Sequence, residues 1–132
     1  MIRKLDIQTN SKDSLIDITR RVEETVRESR VDAGLCIIYV PHTTAGVTIN
    51  ENSDPAVRRD LLMTLARAVP DSLPYTHSEG NAPAHVKASL VGSSASVFIE
   101  DGRLSLGTWQ GIFFCEFDGP RQRQVLVEVM SA

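Results

Sequence analysis

Alternating apolar and polar positions predict a strand at the start of the chain and further strands towards its centre. Leu5 and Ile7 alternate with polar residues over Ile2 to Thr9, which is typical of a half-buried strand. Leu35 to Val40 is continuously apolar and rich in β-branched residues. Such a run predicts a strand that is buried on both faces or is central in its sheet. Val47 to Asn50 predicts a further short strand.

Three segments are predicted to be helices, the first two from apolar residues at helical spacing and the third from its start and stop signals. In the first, Leu15 to Ser29, apolar residues at positions 15, 18, 22 and 26 form one stripe, and Asp17 can serve the helix start. The second runs from Pro55 to about Ala68, with Asp54 as its capping residue. The third runs from Asn81 to about Val91 and is stopped by a glycine. The inward-facing residues of the second helix are predicted to be Val57, Leu61, Leu65 and Ala68.

The last third of the chain is predicted to be β-structure. The predicted strands are Ser96 to Glu100, Leu104 to Leu106, Ile112 to Phe117 and Gln124 to Met130. Asp101-Gly102 is a hairpin turn signal between the first two of these. Strands and helices occur in separate blocks, which predicts an α+β fold with an antiparallel sheet or two packed sheets. The length favours a single domain over residues 1–132.

Composition limits the kinds of molecule that the protein is expected to bind. The net charge of −3 gives no electrostatic footprint of a protein that binds nucleic acid or an anionic membrane. No apolar stretch approaches membrane-spanning length, and the first residues lack the apolar segment of a secretory signal. Cys36 and Cys115 lie in apolar runs, which predicts buried free thiols. We therefore expect a cytoplasmic protein that binds neither nucleic acid nor membrane.

Residues with reactive or ligand-binding side chains concentrate at predicted element ends between positions 39 and 60. They are, in order, His42, Thr43, Thr44, Asn50, Glu51 and Asp54. Core packing does not require these residue types there, whereas a metal or anion site does. The two threonine hydroxyls and the free N–H groups at the next helix start suit a phosphate. Strand propensity alone would also explain the threonines.

The chain contains only three histidines, and each lies at an element end or in a long irregular segment. Three neutral imidazoles that leave one coordination position open are the ligand set of a catalytic zinc site. His77 follows His42 by 35 positions and precedes His85 by 8, which matches no local metal motif. Three unconnected loop histidines are therefore the simpler alternative.

Two carboxylates are placed to orient a histidine or act as a general base, namely Glu51 and Glu79. Asp54 is expected to cap a helix, and Asp60 lies about 240° further around that helix, so the two do not form a carboxylate pair. Trp109, flanked by glycines in GTWQG, predicts either a core anchor or a close approach to a ligand or neighbouring subunit.

Three longer motifs occur together in one order. HTTAGVTINENSDPAVRRD, YTHSEGNAPAHVKASLVG and GTWQGIFFCEFDGPRQRQV resemble the YjbQ family, also called UPF0047, over nearly the whole chain. The resemblance implies an α+β fold, a homotrimer and a polar site at or near subunit boundaries. It also implies a secondary thiamine-phosphate synthase activity. That reaction joins a hydroxymethylpyrimidine diphosphate to a thiazole phosphate and releases pyrophosphate.

The resemblance assigns site residues position by position. The catalytic candidates are His42, Glu51, Asp60 and His85. The substrate-binding candidates are Thr43, Thr44, Asn50, Glu79, Gly80, Trp109 and Gln110. The candidate ligands of a divalent ion, zinc or magnesium, are His42, His77 and His85. The segment from Ser78 to Asn81 carries fewer carboxylates than is usual in relatives, which argues against a role that requires several of them for magnesium.

On this interpretation the protein binds a small phosphorylated metabolite, positions two reactants and stabilises charge on the departing pyrophosphate. Two alternatives remain open. The first is a trimeric module that binds a metal or a phosphorylated metabolite without turning it over. The second is a metal-dependent hydrolase of small phosphorylated metabolites.

Overall fold

The computed structural model describes all residues from 1 to 132 and contains eight strands and three helices. In chain order they are β1 (Ile2–Gln8), β2 (Ser14–Asp17), α1 (Thr19–Ser29), β3 (Gly34–Tyr39), β4 (Ala45–Glu51), α2 (Pro55–Ala68), α3 (Ala82–Val91), β5 (Ser94–Glu100), β6 (Arg103–Leu104), β7 (Gln110–Glu116) and β8 (Gln122–Ser131). They form two antiparallel sheets, with strand orders β1-β8-β3-β5-β6 and β2-β7-β4. The predicted α+β fold with three helices is confirmed.

One face of each sheet contributes to a shared main core. The five-stranded sheet supplies alternate residues of its strands, such as Ile38 and Val127, and the three-stranded sheet supplies Phe114 and Ile112. Ile18, which directly precedes α1, and Val22 and Val26 of the helix add the stripe predicted from the sequence. Strand β3 lies between β5 and β8, so the continuously apolar run forms a central strand, as predicted.

The other face of the three-stranded sheet is covered by the remaining two helices. Phe113 and Cys115 form a second, smaller core with Ala84 and Ala88 of α3. Leu61, Leu62 and Leu65 of α2 pack against it but are only partly buried. No residue of α2 is fully buried. The order of layers is therefore five-stranded sheet, three-stranded sheet, and helices α2 and α3.

The helix predicted over Leu15 to Ser29 begins only at Thr19, so its first turn was predicted wrongly. Ser14–Asp17 instead forms β2 and pairs with β7, opposite Phe113 to Glu116. Leu15 shares the spacing of the α1 stripe but packs in the second core, on the other side of the sheet. Asp17 serves the helix start as expected, because its Oδ1 accepts a hydrogen bond from Thr19 N at 2.9 Å.

Other predicted features are confirmed with small shifts. Asp54 caps α2 by accepting from Ala56 N at 2.9 Å, and α3 ends at Gly92, which has φ 100°. Asp101 and Gly102 form the tight turn between β5 and β6 with φ values of 52° and 73°. Both cysteines are free and buried. Ala68 was expected to face inward and is exposed. None of the three helices has the length and apolar character needed to cross a membrane.

Candidate functional site

His42 lies in the loop between β3 and β4 and is fixed by the neighbouring strand β8. Strand β3 pairs with β8 only as far as Tyr39, which lies opposite Leu126. Beyond that point the backbone N–H of Gln124 donates to His42 Nε2 at 3.0 Å. The imidazole therefore satisfies a strand N–H that has no partner on β3.

The surroundings of His42 keep its ring neutral. Burial lowers the pKa of His42 below its ordinary value, and the positive charge of Arg123 lowers it further; these two causes outweigh the opposing effects of the Gln124 backbone and of Glu116. At neutral pH the ring therefore has one acceptor nitrogen and one N–H donor. It can donate a hydrogen bond to an anion without first losing or gaining a proton.

Beneath this loop lies a buried ion pair between Glu116 of β7 and Arg123 of β8. Arg123 Nε donates to Glu116 Oε1 at 2.8 Å, and both side chains are at least 95% buried. Arg123 Nη2 also donates to Thr44 Oγ1 at 2.8 Å, and Thr9 Oγ1 donates to Glu116 Oε1 at 2.8 Å. Burial acts to raise the pKa of Glu116, but the hydrogen bonds and the charge of Arg123 lower it overall.

A cleft of about 340 Å³ opens between the His42 loop and helix α3. His85 and Ser89 stand one helical turn apart on α3 and therefore line the same wall. Ser89 Oγ donates to the His85 carbonyl at 2.9 Å. The polar side chains that line the cleft are His42, Thr43, His85, Ser89 and Ser93. None of them is a carboxylate, so the cleft presents hydrogen-bond donors without fixed negative charge.

His77 reaches this region from the irregular segment before α3. Its ring packs edge-on against His85, with the centroids 5.1 Å apart and an interplanar angle of 84°. Glu79 Oε2 lies 3.7 Å from His77 Nε2 with both side chains largely exposed. Gly80 follows with φ 78°. No three His, Cys, Asp or Glu side chains of one chain are grouped closely enough to hold a metal ion.

The two threonines after His42 differ in what their hydroxyls can do. Thr43 is exposed at the cleft. Thr44 is 6% exposed and its hydroxyl accepts from Arg123, so it is engaged in the buried ion-pair network. As placed, Thr43 can contact a bound phosphate directly, whereas Thr44 supports the loop.

Glu51 and Asn50 lie at the opposite end of β4 from His42. A strand of seven residues spans about 20 Å, so Glu51 cannot orient His42 within one chain. Glu51 Oε2 instead accepts from Asp54 N at 3.2 Å, and Asn50 Oδ1 accepts from Glu51 N at 2.7 Å. Both side chains serve the turn into α2.

The remaining candidates also lie away from the cleft. Trp109 is 62% exposed, and its carbonyl accepts from Asn52 N at 3.0 Å, which places it at the Glu51 end of β4. Gln110 Oε1 accepts from Gly107 N at 2.8 Å. Asp60 is exposed on α2. The predicted site residues thus divide into a histidine cleft and a second region about one strand length away.

Sequence reasoning missed the ion pair and the two serines of the cleft. A signal for the ion pair was present, because Arg123 shares the inward register of Val125 and Val127 on one strand. Glu116 stands in the apolar run IFFCEF, and a charge in such a run is expected to be buried and paired. No sequence pattern distinguishes Ser89 and Ser93 from other serines. They line the cleft only because α3 ends beside the His42 loop.

Comparison with known proteins identifies the relatives of this chain. The model of the UPF0047 protein YjbQ-like family matches residues 3–132. A UPF0047 protein of Methanocaldococcus jannaschii is 51% identical over 131 residues, which cover 99% of this chain and 95% of the relative. The UPF0047 protein YugU of Bacillus subtilis is 50% identical over 132 residues, with 99% and 100% of the two chains covered.

Two solved structures of similar proteins share the fold of this chain. A YjbQ/UPF0047 family protein of Clostridium acetobutylicum superposes with a TM-score of 0.95 at 52% identity, covering 97% of this chain and 99% of that one. A YbjQ-like protein of unknown function from Sulfolobus solfataricus superposes with a TM-score of 0.96 at 32% identity, covering 100% and 97%. The chain belongs to the UPF0047 family of YjbQ-like proteins.

Proposed function

We propose that the histidine cleft binds the phosphate groups of a small phosphorylated metabolite and that the protein is a transferase of the thiamine-phosphate synthase type. The observation that carries this proposal is the lining of the cleft by two imidazoles and three hydroxyls without a carboxylate. Such a lining favours an anion over a cation, because its imidazoles and hydroxyls can donate hydrogen bonds, that of Ser89 after its hydroxyl rotates away from the His85 carbonyl.

The size of the cleft supports a small substrate. Its volume of about 340 Å³ is at the lower end of ordinary small-molecule sites, which begin at about 300 Å³. In the proposed reaction a pyrimidine methylene carbon loses its bond to pyrophosphate and forms one to a thiazole nitrogen. Donors such as His42 and His85 would stabilise the charge that develops on the departing pyrophosphate.

The three-imidazole metal site does not fit the side chains of a single chain as they stand. His42 Nε2 is engaged by a backbone N–H, and His77 and His85 meet edge to face. A divalent ion at His42, His77 and His85 therefore stays a prediction, and no step of the proposed mechanism depends on it.

Binding can be tested by calorimetry with pyrophosphate on the wild type, His85→Ala and Ser89→Ala. His85→Ala removes a donor to a charged acceptor and should weaken binding by about 10- to 100-fold. Ser89→Ala should weaken it less, because the Ser89 hydroxyl must give up the His85 carbonyl to reach the anion. Ser89→Ala keeps helix propensity, so its thermal stability should not fall. Ser96→Ala, on an exposed strand position outside the cleft, should bind like the wild type. Equal binding by all four proteins would contradict the proposed site.

Turnover is tested by rescue of thiamine-auxotrophic cells that lack their main synthase. The wild type should restore growth, and His85→Ala should not, although it remains folded. Binding of pyrophosphate without rescue or product would favour the module that binds without turnover. Phosphate release from a phosphorylated metabolite without a second substrate would favour the hydrolase.

A further inference from the structure

We infer that His42 is held as the Nδ1–H tautomer and donates that hydrogen to an anionic oxygen, with Arg123, Thr44 and the Gln124 backbone as its positioning groups. The inference rests on the proposed phosphate-binding cleft and specifies how that cleft is built. It also implies that His42 is not a ligand of a metal ion.

The tautomer follows from the hydrogen bond to β8. A neutral imidazole has one nitrogen with a free lone pair and one that carries hydrogen. Because Gln124 N–H donates to Nε2 at 3.0 Å, Nε2 is the acceptor and Nδ1 carries the hydrogen. The other tautomer would set two N–H groups against each other and leave the Gln124 N–H without a partner.

The same bond makes His42 a poor metal ligand. A metal binds through a lone pair, and the lone pair of Nε2 is already used by Gln124. Binding through Nδ1 would require its hydrogen to leave or move to Nε2, where it would oppose the Gln124 N–H. An oxygen of phosphate or pyrophosphate instead accepts from Nδ1–H with no rearrangement. The expected three-imidazole ligand set and the observed hydrogen bonding therefore disagree at His42.

The loop that carries His42 is fixed at two neighbouring positions of β8. Arg123 Nη2 donates to the Thr44 hydroxyl at 2.8 Å and lies 3.4 Å from the Thr44 carbonyl oxygen. Gln124, the next residue of β8, holds the His42 ring itself. Glu116 holds the same guanidinium by accepting from its Nε at 2.8 Å. Arg123 thus acts on the cleft through Thr44 without touching bound phosphate.

The tautomer can be measured directly, since the protein has only three histidines. Nitrogen-15 spectra of the metal-free protein, assigned with His42→Ala, should show His42 Nε2 as the unprotonated nitrogen and Nδ1 as the protonated one. Added pyrophosphate should shift the His42 Nδ1 signal, whereas added Zn²⁺ should leave both His42 signals in place. An Nε2–H tautomer, or a shift of the His42 signals with Zn²⁺, would overturn the inference.

The positioning role is separated from stability by two matched substitutions. Thr44→Val and Thr9→Val each remove one buried hydroxyl from the same ion pair. Only Thr44 lies two positions from His42, so only Thr44→Val should alter the His42 nitrogen shifts and weaken pyrophosphate binding, by about three- to tenfold. Equal changes in both variants, or unchanged His42 shifts in Thr44→Val, would contradict the role of Arg123 and Thr44.

The outcomes also distinguish this inference from the proposed function. Failure of the wild type to bind pyrophosphate would contradict the phosphate-binding cleft and the donor role of Nδ1–H. The nitrogen spectra need no bound molecule, so they would still decide whether the hydrogen is held at Nδ1. Pyrophosphate binding with an Nε2–H ring would support the cleft and overturn the inference.

Discussion

The ion pair of Glu116 and Arg123 should make the protein sensitive to acid. The pKa of Glu116 is lower in the folded chain than in the unfolded chain, where it is ordinarily 4.5. The ionised carboxylate therefore stabilises the fold at pH values above the unfolded-state pKa, and this stabilisation is lost as the pH falls through the folded-state pKa. Glu116→Gln leaves Arg123 buried without its counter-charge. We expect it to lower the free energy of unfolding at pH 7 by about 3–5 kcal/mol and to reduce the loss of stability on acidification. Denaturant unfolding at pH 7 and at pH 3.5 measures both effects.

An exposed ion pair provides the control at the residue scale. Arg3 Nη2 and Glu28 Oε2 are 2.7 Å apart, but both side chains are more than half exposed. Exposed pairs are screened by water, so Glu28→Gln should change the free energy of unfolding by less than about 1 kcal/mol. Similar losses in Glu28→Gln and Glu116→Gln would show that burial of the pair does not matter to the fold.

At the scale of individual residues, the sequence can single out His42 but not the groups that support it. His42 could be singled out because it directly follows an apolar strand that proved to be central. Arg123 and Gln124 support it from β8, 81 and 82 positions further along the chain. A pairing at such a separation depends on strand order, which the local pattern of residues does not contain. The alternation of Arg123 with Val125 and Val127 along β8 predicts only that Arg123 points inward.

At the scale of elements, one glycine sets the distance between β4 and the end of α3. A Cβ added at Gly46 would lie 2.5 Å from the Gly92 carbonyl oxygen, which itself accepts from Val47 N at 3.1 Å. Gly46→Ala should therefore push the Gly92–Ser93 wall of the cleft outward. We expect a loss of stability of about 1–3 kcal/mol together with weaker pyrophosphate binding, measured by thermal unfolding and calorimetry.

Gly107→Ala is the matched substitution for this prediction. Its added Cβ would meet only the flexible side chain of Gln110, at 3.3 Å. Both stability and pyrophosphate binding should therefore stay close to those of the wild type. If Gly46→Ala were equally neutral, close packing of β4 on α3 would not be what shapes the cleft.

The elements best predicted from sequence are those whose ends are marked by side-chain chemistry. Asp54 and Pro55 mark the start of α2, and the helix begins where they predict. The start of α1 was misplaced because Leu15 happens to continue the helical stripe of residues 18, 22 and 26. Spacing alone cannot show that Leu15 faces a different core, since that depends on β2 pairing with β7.

For the whole molecule, the outer face of the five-stranded sheet carries an exposed apolar patch at one end of its central strand. Leu35 of the central strand lies beside Phe98 on one neighbour and Met130 on the other. Phe98 is 70% exposed and Met130 40%. Contiguous apolar faces of this kind mark contacts with other proteins. We expect this face to be the subunit contact of the homotrimer that the family resemblance implies.

Phe98→Glu tests this contact by placing a charge at the most exposed point of the face. Light scattering after gel filtration should show the mass of three chains for the wild type and of one chain for Phe98→Glu. Met63→Glu, at a 46% exposed apolar position on α2, should remain trimeric. A trimeric Phe98→Glu, or a monomeric wild type, would contradict the expected contact.

Dissociation would also show whether the cleft is complete within one chain. Strand β4, about 20 Å long, begins just after the His42 loop and ends at Glu51, so only a neighbouring subunit could bring a Glu51 carboxylate to the histidine cleft. If it does, monomeric Phe98→Glu should bind pyrophosphate differently from the wild type, because the cleft would lose that carboxylate. Unchanged binding, measured by the same calorimetry, would mean that His42, His85 and Ser89 form the anion site without Glu51.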